Sequence, residues 1–338
     1  MKKIGIITLN DYINFGNRLQ NYALVECINK LEGCTAHNIW IKSMTYKIKD
    51  TIKKFIPLKK YKRIAIFRKF NKKISTVNSD ENFDYYITGS DQVWNPQWAA
   101  TDELLLKNKE SSKKISYSAS FGVNELMPEE QEKFKTALRD FKAISVRENS
   151  GKKIIENLKN EKDVEVLIDP TMLLTNEEWS KLASKPKNHN EKKYILNYFL
   201  GNLSETRKKE IEKIAKENNC EIINIMDKKD KYYVSGPSEF LWLEKNAFLV
   251  CTDSFHASVF AIIFDRPFVV FNRQEKENKN MGTRIDTLLS KFNISDRRYN
   301  NKEITKANLK HDYTEAYKIL ESERKKSETF LKKALDIK

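Results

Sequence analysis

Short apolar runs alternate with longer stretches in which apolar residues recur every three or four positions, so strands and helices are predicted in turn. KIGIITL, residues 3–9, reads as a buried strand, and DYINFGN after it as a polar loop. Residues 17–31 then carry Leu19, Tyr22, Ala23, Ile28 and Leu31 near helical spacing, with Gly33 as the stop. Strand, loop and helix in this order open a parallel α/β unit. DYYITG (84–89), KKISYSASFG (113–122), AISVRE (143–148) and VEVLIDP (164–170) continue as strands, with helices at 129–141 and 151–158. Between the first two strands, residues 44–73 are strongly basic with scattered aromatics, and read as a surface excursion, partly helical.

Near residue 175 the pattern restarts. YILNYFL (194–200), EIINI (221–225), AFLVCT (247–252) and PFVVFN (267–272) read as strands. The charged stretch 204–218, the segment after Pro237 and DSFHASVFAIIF read as helices between them. The expected architecture is α/β: two Rossmann-like domains facing a central cleft. Their extents are 1–175 and 176–310, followed by a lysine-rich helix over 311–338. In such sheets ligands lie beyond the carboxyl ends of the strands.

Composition narrows the class. Of 338 residues, 40% are hydrophobic and 32% charged, and the mean hydropathy is -0.66, which describes a folded, polar-surfaced protein. The most apolar region, 247–271, is interrupted by Asp253, His256, Asp265 and Arg266, so no membrane span is expected. The opening MKKIGIITLND has too short an apolar run for a secretory leader, and a cytoplasmic location follows. Four cysteines without a CxxC spacing argue against disulfide or zinc frameworks. The net charge of +15 comes without a nucleic-acid-binding signature. An anionic substrate, or peripheral contact with the anionic inner face of a membrane, accounts for it better.

Polar clusters fall at five predicted strand ends: NFGNRLQN, GSDQVWN, SASFG, SVREN and TDSFH. In TDSFH, Thr252, Asp253 or Ser254 is placed to cap a helix, and the helix N-terminus favours an anion beside His256. In GSDQVWN, Gly89 allows close approach, Ser90 and Asp91 offer polar contacts, and Trp94 offers an apolar face to a sugar ring. The alternative for both clusters is structural: a capping residue followed by core. Arg147, Arg284 and Arg18 are candidate anion clamps, because a guanidinium grips carboxylate or phosphate with two parallel bonds. Asn17 and Gln20 flank Arg18 at the same loop. No metal cluster is predicted.

Taken as a set, NFGNRLQNYAL, ITGSDQVWN, AISVRE, LIDPTMLL, TDSFHASVFAIIFDRPFVVF and GTRIDTLL resemble the polysaccharide pyruvyl transferase family, in the family's order. The resemblance implies a GT-B-like fold. It implies transfer of a pyruvyl group from phosphoenolpyruvate to a sugar of a capsule, cell-wall or lipid-linked glycan. Phosphoenolpyruvate is then the donor substrate, and no cofactor is implied. His256 matches the family's histidine at the donor site, as acid or phosphate ligand, and Arg147 a substrate-binding arginine. Asp91 is assigned from its position as the base that activates the acceptor hydroxyl. Relatives often carry an arginine two residues before the histidine, where this chain has Ser254. Arg284, Arg18 or the helix end would have to replace it. Two other readings stay open: a GT-B-like transferase using a nucleotide sugar, with Asp286 or Glu275 holding ribose, and a non-catalytic glycan- or nucleic-acid-binding protein.

Overall fold

The computed structural model describes residues 1–10, 13–40, 58–77, 82–97, 99–158, 163–187, 189–273, 282–300 and 303–337. Its first sheet begins with β1 (Lys2–Ile7), α1 (Phe15–Asn29) and β2 (Cys34–Ile39). After α2 (Leu58–Asn71) come β3 (Thr76–Val77), β4 (Tyr85–Thr88), β5 (Lys114–Ala119), α3 (Pro128–Arg139), β6 (Ala143–Val146), α4 (Asn149–Asn157) and β7 (Val164–Val166). These strands form one parallel sheet in the order β3-β2-β1-β4-β5-β6-β7. Burial explains the sequence pattern. All six residues of β5 are buried, as expected of a central parallel strand covered on both faces. β2 and β3 escaped the sequence reading: CTAHNI mixes polar and apolar positions, and β3 has only two residues.

A second parallel sheet, ordered β11-β10-β8-β9, follows α5 (Asn176–Leu182). Its elements are β8 (Tyr194–Tyr198), α6 (Glu205–Glu217), β9 (Glu221–Asn224), α7 (Pro237–Asn246), β10 (Leu249–Thr252), α8 (Phe255–Ile263) and β11 (Phe268–Val270). α9 (Thr283–Lys291) and α10 (Thr314–Ala334) complete the chain. All nine residues of α8 are buried, which is why its sequence is apolar on every side. Phe260 of α8 meets Trp179 of α5 edge-on, with ring centroids 5.1 Å apart.

The two compact units are not contiguous in sequence. The first comprises Met1–Ile56, Asn71–Leu173 and Glu321–Lys338; the second comprises Pro57–Phe70 and Leu174–Leu320. This departs from the expected division in two places. The helical part of the basic excursion, α2, packs with the second unit. Its Arg63 guanidinium donates to the carbonyls of Ile225 (3.2 Å) and Tyr233 (2.9 Å). The C-terminal helix does not stand alone but is shared. Tyr317 near its start donates to the Ile262 carbonyl, while Arg324 donates to the Met172 carbonyl.

Each sheet has a switch point, where the strand order reverses and the carboxyl ends open a crevice. In the first it lies between β1 and β4; in the second, between β8 and β10.

Candidate functional site

At the switch point of the first sheet, the loop after β1 meets the loop after β4. Asn14 caps α1 by accepting from the Asn17 amide at 3.0 Å. The Asn17 side chain then donates to Asp91 Oδ2 at 3.1 Å. Gln20 bridges the same two loops, donating to Thr8 Oγ1 (3.0 Å) and accepting from the Ser90 amide (3.1 Å). Gly89 has a φ of 122° and lies against the Tyr117 carbonyl, so only glycine fits there. Asp91 follows in a left-handed conformation, with a φ of 68°.

Arg147, at the end of β6, is buried among acidic groups. Asp169 lies 2.7 Å away, Asp91 3.6 Å and Glu148 4.0 Å. Burial disfavours its charge, but Asp169, Asp91 and Glu148 together outweigh that and hold its pKa above the ordinary arginine value. Asp169 also accepts from Thr171, and Glu148 from Ser120 and the Phe121 amide, so both are fixed from behind. Of the three carboxylates only the Asp91 side chain reaches the surface, at 12% exposed against 0% for the others. One cation faces three anions, among the described residues. The cluster therefore suits a carboxylate base reached through Asp91 better than an anion clamp at Arg147.

At the switch point of the second sheet, Thr252 donates to the Tyr198 carbonyl (2.6 Å) and accepts from the Ser254 amide (2.9 Å). Asp253 accepts from the Leu200 and Gly201 amides at 2.7 and 2.8 Å, tying the loop after β8 to the loop after β10. Beside it opens a cavity of about 320 Å³. Three guanidinium groups, Arg273, Arg284 and Arg298, and two carboxylates, Asp253 and Asp286, line it, with the start of α9 at Gly282 and Thr283. Arg298 pairs with Asp286 at 2.9 Å, and Arg273 lies 3.5 Å from Asp253. Burial pulls the Arg298 pKa below its ordinary value, and Asp286 offsets this in part. A surplus of guanidinium groups at a helix N-terminus is an arrangement that receives phosphate or carboxylate.

The residues singled out by sequence separate into groups. Asn17, Ser90, Asp91 and Arg147 come together in the first unit, and Arg284 lines the cavity of the second. Ser254 is the N-cap residue of α8, but its side chain makes no cap bond; its amide donates to Thr252 Oγ1. His256 is buried in the first turn of α8 with its ring edge-on to Phe255, and it is Phe255 that lines the cavity.

Three expectations are corrected. Trp94 is fully buried between Phe121 and Phe141, its indole N–H donating to the Leu104 carbonyl, so it is core and offers no face to a sugar. Arg18 is buried and donates to Leu9 O, Asn10 and Asn17, so it shapes the loop after β1 rather than gripping an anion. Gln20, also fully buried, is likewise a brace. Sequence reasoning missed Asp169, Glu148, Arg273 and Arg298. Glu148 and Asp169 lie at the ends of the predicted strands 143–148 and 164–170, a signal that could have found them; Arg298 carries none. Glu275, one of the two ribose candidates, lies outside the described residues. Among the described residues no three His, Cys, Asp or Glu side chains are grouped to hold a metal ion.

Comparison with known proteins agrees with this architecture. No curated protein matches the sequence. UDP-N-acetylglucosamine 2-epimerase from Rickettsia bellii is 11% identical, with 99% of this chain and 97% of that one covered and a TM-score of 0.50. The corresponding epimerase from Neisseria meningitidis, bound to UDP-GlcNAc, is 10% identical over 100% and 95%, with a TM-score of 0.48. A glycosyltransferase from Rickettsia africae is 14% identical over 99% of both chains, with a TM-score of 0.47. At these identities the likeness is one of fold: α/β, GT-B-like, with two Rossmann-like units. The family model for polysaccharide pyruvyl transferase matches residues 14–275.

Proposed function

This chain belongs to the polysaccharide pyruvyl transferase family, and from that premise we propose that its donor is phosphoenolpyruvate and its product a pyruvyl ketal on a sugar. The methylene carbon of the donor takes a proton and becomes a methyl group. A first sugar hydroxyl adds to the neighbouring carbon. Phosphate leaves, and a second hydroxyl closes the ketal. One hydroxyl proton balances the proton given to carbon; the other leaves with phosphate.

The observation that carries this reading is the guanidinium-lined cavity of the second unit. The donor bears a phosphate and a carboxylate, and Arg273, Arg284 and Arg298 supply cations for both. Arg284 takes the part of the guanidinium that Ser254 lacks. His256, one residue from the cavity wall, serves as the acid or as a phosphate ligand. Asp91, the carboxylate of its cluster that reaches solvent, takes the proton of the acceptor hydroxyl. The acceptor is a capsule or cell-wall glycan, or its lipid-linked precursor. The protein works in the cytoplasm, and its net charge of +15 draws it to an anionic membrane face.

The test combines ligand-induced thermal shifts with phosphate release. Phosphoenolpyruvate should raise the melting temperature of the wild type and should do so less for Arg284→Gln. His256→Ala and Asp91→Asn should abolish acceptor-dependent phosphate release while keeping the fold. Stabilisation by UDP-GlcNAc and not by phosphoenolpyruvate would replace this reading with a nucleotide-sugar transferase. Glycan binding undiminished by His256→Ala, without turnover in the wild type, would replace it with a binding protein.

A further inference from the structure

We infer that the outward face of α2 is an interfacial helix that seats the protein on an anionic lipid bilayer. The inward face fixes which side this is. Arg63, Phe67 and Phe70 are buried, and the Arg63 guanidinium lies over the rings of Phe67 and Tyr233. Ile66 presses against Gly236, where no Cβ would fit. Helix geometry then turns positions 58, 61, 62, 65, 68 and 69 outward together.

That outward face has two components. Leu58 is 68% exposed and Tyr61 50%, two of the few large apolar side chains so exposed among the described residues. Around them Lys59, Lys62, Arg68 and Lys69 are all exposed. From residue 51 to residue 79 the sequence has no Asp or Glu. The basic field extends to the loop after β9, because the Lys59 ammonium bonds the carbonyls of Lys228 and Lys229, whose side chains are exposed. The acidic residue between them and Tyr232 is turned away from that field: Asp230 accepts from the Asn224 and Tyr232 amides.

An apolar strip rimmed by basic side chains is what a helix lying in a bilayer interface requires. The strip enters the acyl boundary while the rim meets lipid phosphates. Tyrosine favours the headgroup level. A nucleic-acid surface would account for the basic side chains but not for the exposed leucine that begins the helix beside them. The inference deepens the reading given above, since such a seat holds the enzyme where a lipid-linked acceptor lies, and its test is kept separate from turnover.

The experiment is co-sedimentation with phosphatidylcholine vesicles, with and without about one-third phosphatidylglycerol. The wild type should bind only the anionic vesicles, at least tenfold more weakly when salt rises from about 0.1 M to about 0.5 M. Lys62→Glu, Arg68→Glu and Lys69→Glu together should lower binding by roughly a hundredfold or more. Leu58→Ser with Tyr61→Ser should remove the part that survives high salt. All these side chains are exposed, so melting temperatures and phosphate release with a soluble acceptor should not change. Vesicle binding by the triple variant equal to wild type would overturn the inference. So would tighter binding to a short DNA duplex than to vesicles, lost in the same variants. If phosphoenolpyruvate is not turned over yet vesicle binding follows α2, the proposed reaction falls and the interfacial helix stands.

Discussion

Replacing Arg147 with Met removes the one cation that the structure places among Asp169, Asp91 and Glu148. The Arg147 side chain is 1% exposed and those of Asp169 and Glu148 are 0%, so solvent screens little of the loss. Removing one partner of a buried ion pair leaves the other charge uncompensated and costs about 3–5 kcal/mol. For a unit of this size that is a fall in melting temperature of about 6–20 °C. Arg147→Met combined with Asp169→Asn removes the strongest uncompensated charge and should recover much of the loss, with a coupling of about 2–3 kcal/mol in a double-mutant cycle. Arg147→Lys keeps the charge but not the planar fork, and should fall between wild type and Met. Thermal melting of the four proteins of the cycle, without ligand, is the assay. A single-variant loss below about 1 kcal/mol, or strictly additive losses, would refute the reasoning. Arg147 would then not be held by its own carboxylates and would be available to grip a substrate anion.

Three further outcomes are expected. Glu244 is fully buried in α7 with neither carboxyl oxygen hydrogen-bonded, and burial alone raises its pKa well above 4.5. Below pH 4.5 folded and unfolded chains both keep the proton. As pH rises, the unfolded chain releases it first and stability falls until the folded value is passed. Glu244→Gln should therefore melt higher than wild type at pH 8, with the gain disappearing near pH 4; a gain independent of pH would contradict this. Gly89→Ala should destabilise by about 2–4 kcal/mol, from left-handed strain and overlap with the Tyr117 carbonyl, as read by denaturant unfolding. Trp94→Ala should cost about 3–5 kcal/mol in stability, while calorimetry of the folded fraction shows unchanged affinity for a glycan acceptor.

The sequence carried the long apolar elements well, because their burial is nearly complete. β8 and α8 read correctly since an element covered on every side is mostly apolar, and β5 did so although Lys114, Ser116 and Ser118 are buried in it. Short or mixed elements did not show: β3 gains its identity only from pairing with β2. Site residues followed the same logic. Asp91 was legible because it stands in the loop after β4, and Asn17 because it lies in the first turn of the helix that follows β1. Trp94 was misjudged because an aromatic beside a polar loop looks the same whether it turns inward or outward. Arg147 was found, but of its acidic neighbours only Glu148 is adjacent in the chain; Asp91 and Asp169 come from other strand ends and meet it through sheet order. Arg298 reaches the cavity from a segment after α9, a placement that no local spacing encodes.

The discontinuity of the two units has a consequence for how the protein is made. Lys2 at the start of the first sheet donates to the carbonyls of Leu335 and Asp336, and Phe330 packs against Tyr117 of β5. The first unit thus takes in residues 321–338, which leave the ribosome only after the whole second unit has been synthesised. N-terminal domains commonly fold during synthesis, but here the contacts of the first unit are complete only once its last residues have been made. The second unit in turn needs α2, made long before the rest of it. A fragment cut at residue 173 would hold all seven strands of its sheet but lack the end of α10 that belongs to the same unit, and it would carry Phe67 and Phe70, which belong to the second unit. No single cut of the chain separates the two units, so each is completed by a segment that the sequence places beside the other.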